Sequence, residues 1–83
     1  MKYIYILYTC DEWKSNASMK AVLATTSVRK VRKRIRELVK NKDINVGNDN
    51  LFGYLMSGNL PPKLFANEMN NILDYGYLEV WED

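Results

Sequence analysis

Between Ser27 and Lys42 this 83-residue chain admits one regular structure. The apolar residues there are Val28, Val31, Ile35, Leu38 and Val39. They recur at intervals of three and four, which a helix gathers into one stripe and a strand scatters over both faces. Nearly every other position is basic: Arg29, Lys30, Arg32, Lys33, Arg34, Arg36, Lys40 and Lys42, with Glu37 the lone acid. The segment carries a formal charge of +7 and the remainder −5, so a nearly neutral molecule (+2) is strongly polarised. Any fold must bury the apolar stripe and leave the cations in water. Mixed charges at i and i+4 would keep such a helix soluble and slightly more stable, so the uniform sign points to a partner, and to an acidic one. Arg29 and Lys30 fall in the first turn, where the helix dipole disfavours cations by a few tenths of a kcal/mol. A local rule broken without a stabilising return is expected where residues serve function.

The flanking segments predict an α+β domain of order β-β-α-(short helix)-α-β. Lys2–Cys10 is rich in Tyr, Ile and Leu and reads as a strand. Ile4, Ile6, Tyr8 and Cys10 alternate with Tyr3, Tyr5, Leu7 and Thr9, so both faces are apolar and the strand belongs in the middle of a three-stranded antiparallel sheet. Asp11–Trp13 is read as its continuation. Lys14–Ser18 has the small polar residues of a turn, and Met19–Thr26 follows as a second strand, antiparallel to the first. Thr26 or Ser27 caps the basic helix, which fades near 41–43. Asp43–Asn50 reads as a loop, and Leu51–Met56 as a short helix or irregular packing. Pro62 opens a second helix at its first position, with Leu64, Phe65, Met69, Ile72 and Leu73 as the apolar face to about Asp74. Tyr75-Gly76 ends it, Gly76 being assigned to the left-handed position after the helix. Tyr77–Trp81 is the last strand, with Leu78 and Val80 on one side and Tyr77, Glu79 and Trp81 on the other.

Eighty-three residues make one small domain, 1–83, with a modest stability margin. One cysteine excludes an intramolecular disulfide, and the lack of histidine removes a His base, a His metal ligand and a Cys–His dyad together. No cofactor or metal is expected. Met1-Lys2 before an apolar run ending in Cys10 resembles an export signal only superficially. The run is short, no small residue precedes Cys10, and Asp11 and Glu12 follow at once. Nothing approaches the roughly 20 apolar residues of a membrane span, so the expected location is cytoplasmic.

Other residues are weighed against ordinary structural roles. Tyr3, Tyr5, Tyr77 and Trp81 read either as an exposed aromatic sheet face, fit for stacking bases or anchoring a protein, or as a second core wall beneath a helix. Cys10 reads as a small buried hydrophobe. Asp11 and Glu12, in extended chain, point to opposite faces and make a poor acid/base or metal pair. Asn48-Asp49-Asn50 lacks calcium-loop spacing, and the glycines form no phosphate cradle. Glu79, Glu82 and Asp83 form an acidic end that reads as solvated or, in a dimer, as meeting a second copy's basic helix. A homodimer is therefore one of the expected assemblies.

The stretch Tyr8-Thr9-Cys10-Asp11-Glu12-Trp13-Lys14-Ser15, with Met19, Ser27 and Tyr75-Gly76-Tyr77-Leu78-Glu79, resembles short phage and prophage proteins of Gram-positive bacteria. The similarity spans the hairpin, the helix start and the last strand, and brings no known active site. It implies a protein acting in a bacterial host by binding and blocking a host component, CRISPR-type defence among them. An inhibitor that mimics DNA would be strongly acidic, and this chain is not. Its basic helix better suits an acidic protein patch or a protein–RNA complex, and Trp13 beside Lys14 offers a contact point.

The expected function is therefore a non-enzymatic binding protein that inhibits or modulates a host factor through Arg29, Lys30, Arg32, Lys33, Arg34 and Arg36. The alternative is direct binding of RNA or DNA by the same helix, with salt-sensitive affinity through counterion release. On this reading charge reversal at Arg32 and Arg36 abolishes binding and leaves stability within about 0.5 kcal/mol.

Overall fold

The structure, a computed structural model, describes residues 2–82. Strands β1 (Tyr3–Thr9) and β2 (Lys20–Thr25) precede helix α1 (Val28–Lys40). The short strand β3 (Asn45–Val46) leads into helices α2 (Asp49–Ser57) and α3 (Pro62–Ile72), and strands β4 (Leu73–Asp74) and β5 (Gly76–Glu82) close the chain. The main sheet is antiparallel in the order β2-β1-β5, so the strand that is apolar on both faces is the central one.

Strand alternation decides what the sheet buries. Tyr5, Leu7 and Leu78 share one face, Leu7 lying opposite Leu78 and Tyr5 opposite Val80. They join Val31, Ile35 and Leu38 of α1, Leu55 and Met56 of α2, and Phe65, Ala66, Met69 and Ile72 of α3 in one core. All three helices pack on this face. The shortest dimension, 19 Å, suits two layers. The opposite face, with Ile4, Ile6, Tyr8, Tyr77, Glu79 and Trp81, carries no helix. Tyr3, Tyr5, Tyr77 and Trp81 therefore do not form one surface. Tyr5 is 5% exposed inside the core, and Trp81 is 56% exposed on the other side.

Several local readings are corrected. Asp11–Trp13 does not extend β1. The Asp11 carboxylate accepts from the Trp13 and Ser15 amides, both at 3.1 Å, and bends the chain. The region after α1 is not all loop, because Asn45 and Val46 pair with Asp74 and Leu73. Of the two readings of Leu51–Met56 the helix is the one formed, and its Asn48 cap accepts from Leu51 N at 3.0 Å.

The left-handed residue after α3 is Tyr75 (φ 68°), not Gly76. Gly76 is already strand, and it must be glycine for another reason. A Cβ there would lie 2.7 Å from Cδ1 of the fully buried Ile44.

The end of α1 is closed by main-chain bonds. Lys42 is left-handed (φ 67°), its amide donating to Val39 O at 3.1 Å, and the Asp43 amide donates to Leu38 O at 2.9 Å. This is the Schellman pair of bonds. The free edge of β5 is capped at Leu78. Asn70 of α3 accepts from Leu78 N at 2.7 Å and donates to Leu78 O at 2.9 Å, satisfying backbone groups that a strand edge leaves open.

Candidate functional site

Ser27, rather than Thr26, caps α1, its hydroxyl accepting from Lys30 N at 3.4 Å. Val31, Ile35 and Leu38 are buried, and this fixes the rotation of the helix. The rotation in turn sorts the cations. Arg29, Lys33, Arg36 and Lys40 are all exposed and follow one another at i, i+4, i+7 and i+11. That spacing lines them up in one row about 16 Å long. Lys30 is exposed beside it. Among the described residues none of these five has a carboxylate within ion-pair distance.

Two of the six expected contact residues are occupied. Arg34 Nη1 lies 3.6 Å from Glu37 Oε2, an exposed pair of little energetic weight. Arg32 points inward. Its Nη2 donates to Gly58 O at 2.7 Å, and its guanidinium carbon stands 5.6 Å from the centre of the Phe65 ring. Gly58 follows the last turn of α2, so the guanidinium meets the negative end of that helix. Helix dipole and ring quadrupole stabilise a cation that no carboxylate approaches. Its Nε is buried without a partner, a desolvation cost that a purely solvated residue would not carry. Arg32 is a tie between α1, α2 and α3, so the expectation that reversing it leaves stability unchanged does not fit its position.

A second feature is the loop between β1 and β2. Asp11 Oδ2 accepts from Ser15 Oγ at 2.8 Å, Ser18 Oγ accepts from the Asp11 amide at 3.0 Å, and Lys14 Nζ donates to Asn70 O at 2.7 Å. Bonds from the Ser15 amide and hydroxyl hold the Asp11 carboxyl below the usual carboxylate range. Lys14 sits at φ 53°. The loop holds Trp13 at 78% exposure, the most exposed of the large apolar side chains. The sequence marked Trp13, but not the carboxylate-centred turn that presents it.

Cys10 is half-buried rather than buried; that partial burial, ahead of the nearby Asp11, pushes its thiol up and keeps it protonated at neutral pH. This is the opposite of what a nucleophilic or metal-binding cysteine needs. Asp11 is spent on its own loop, and no cluster of three metal-ligating side chains occurs among the described residues. Glu82 pairs with Lys63 at 3.2 Å, and Asp83 lies outside the described residues. Among the described residues no helix is long and apolar enough to cross a membrane.

Comparison with protein-family models, with curated proteins and with solved structures finds no match. The functional reading therefore rests on the surfaces just described.

Proposed function

We propose that this chain is a non-enzymatic binding protein that docks on an acidic partner through the exposed row Arg29, Lys33, Arg36 and Lys40, with Lys30 beside it. One observation carries the reading: these cations lie in line and lack a carboxylate partner among the described residues. Uncompensated charge of one sign raises encounter rates with an opposite surface and excludes like-charged ones. In the setting implied by the phage-protein resemblance, the partner is an acidic host protein, or a protein–RNA complex of a defence system, whose action the docking blocks.

The test compares the wild-type chain with the triple variant R29E/K33E/R36E as baits in host lysate, with and without nuclease. The reading expects a partner retained by wild type after nuclease, lost by the variant and weakened by salt. Loss on nuclease treatment, with a gel shift of random RNA or DNA at low salt, would assign the row to nucleic acid instead. Equal retention by both baits would end the case for the helix.

A further inference from the structure

At one end of the open sheet face lies a concavity of about 490 Å³, lined by Tyr8, Lys14, Asn16, Met19, Tyr77 and Glu79. Its volume is in the range of small-ligand sites. Tyr8 and Tyr77 are cross-strand partners, their ring centres 6.3 Å apart and their planes tilted by 40°. Both rings line the concavity, and ring faces are electronegative. Glu79 is on the same face. Its Oε1 accepts from Tyr8 Oη at 3.1 Å and from Trp81 Nε1 at 2.8 Å, so the carboxylate is oriented from both sides. Its Oε2 takes no hydrogen bond from any described residue. Burial first, and then the bond and charge of Glu79, push the Tyr8 hydroxyl up. The hydroxyl thus stays a donor, and the charge it feels is negative.

An anion would face the Glu79 carboxylate in the wall. The lysine in the wall, Lys14, has its ammonium on Asn70 O at 2.7 Å. A neutral apolar ligand would leave Glu79 Oε2 desolvated and unpaired. We propose that the concavity binds a cationic group, an alkylammonium or a guanidinium, held against the Tyr8 and Tyr77 rings and paired with Glu79 Oε2. Cation–π attraction and a charge-assisted hydrogen bond act together in such a site. A free amine and a basic side chain of another polypeptide share this chemistry. A second copy is among the sources, because the exposed arginines of α1 lie on the layer opposite the open face.

The experiment follows the Trp81 indole N–H, the Met19 methyl and the Tyr8 and Tyr77 ring signals by NMR. One arm titrates butylammonium chloride and a second N-acetyl-arginine amide, each against sodium chloride at matched ionic strength. A third raises the concentration of the protein alone. Glu79→Gln is the control, since its carbonyl oxygen still accepts from Tyr8 and Trp81 while the charge is gone. The inference expects saturable shifts confined to these residues in at least one arm, weakened at least about tenfold in Glu79→Gln, the responding arm naming the source. Shifts that do not saturate in any arm, or that persist unchanged in Glu79→Gln, would overturn it. The α1 row plays no part in the first two arms, so failure of either proposal leaves the other standing.

Discussion

Arg32 and Arg36 are one helical turn apart in a run of like residues, and the fold assigns them opposite energetic roles. Reversing Arg36 changes an exposed side chain with no ion pair among the described residues, and should alter stability by no more than about 0.5 kcal/mol. Arg32→Ala removes a charged hydrogen bond at 2.7 Å, about 1.5–3 kcal/mol, and a cation–π contact, about 0.5–2 kcal/mol. Relief of the buried, unpartnered Nε returns about 1–3 kcal/mol of this, so the net loss should be about 1–2 kcal/mol. Arg32→Met keeps the apolar stem and should lose less than Arg32→Ala. Arg32→Glu sets an anion against the carbonyl end of α2 and should lose the most, about 3 kcal/mol or more. An 83-residue domain has about 4–12 kcal/mol in all, so this variant approaches the threshold of unfolding. Urea titration followed by circular dichroism at neutral pH gives the four values. If Arg32→Glu and Arg36→Glu share a midpoint, Arg32 does not tie α1 to α2 energetically.

Four further outcomes follow from local geometry. Lys42→Gly should stabilise the protein by about 1 kcal/mol, because the residue is left-handed and its side chain makes no hydrogen bond or ion pair with a described residue; a lower thermal midpoint would refute the strain assignment. Gly76→Ala should cost about 1–3 kcal/mol by forcing a Cβ onto buried Ile44, read as a lower urea midpoint with an unchanged slope. The folded carboxyl of Asp11 titrates below its unfolded value, so its contribution to loop order is complete above the unfolded pKa and disappears as pH falls through the folded one. Acid should therefore raise hydrogen exchange at the Trp13 and Ser15 amides before global unfolding, and Asp11→Ala should give the same exchange at neutral pH. The Cys10 thiol titrates above its ordinary value, so the neutral form is the native one, and the stability linked to it is lost as pH rises through the folded pKa. Alkylation at pH 8 should be slower than for a free thiol, and modification of native protein as fast as that of a free thiol would contradict the raised pKa.

What this sequence determined by itself is what periodicity can carry. A period of 3.6 placed α1 and its apolar stripe, a period of two on both faces placed β1 at the centre of the sheet, and Pro62 marked the start of α3. These signals are repeated over many residues, so single exceptions do not blur them. Sign bias along α1 was equally visible, since charge is a property of composition. What the tertiary structure decided depends on contacts across the chain. Arg32 reads like its neighbours until α2 ends beside it. Tyr5 and Trp81 look alike until the helices choose one face of the sheet, and Gly76 looks like a helix terminator until Ile44 is found against it. Glu79 reads as part of an acidic tail until strand pairing sets Tyr8 beside Tyr77 and the Tyr8 hydroxyl donates to it. Local pattern fixes which side chains can be buried together, but only packing decides which of them are.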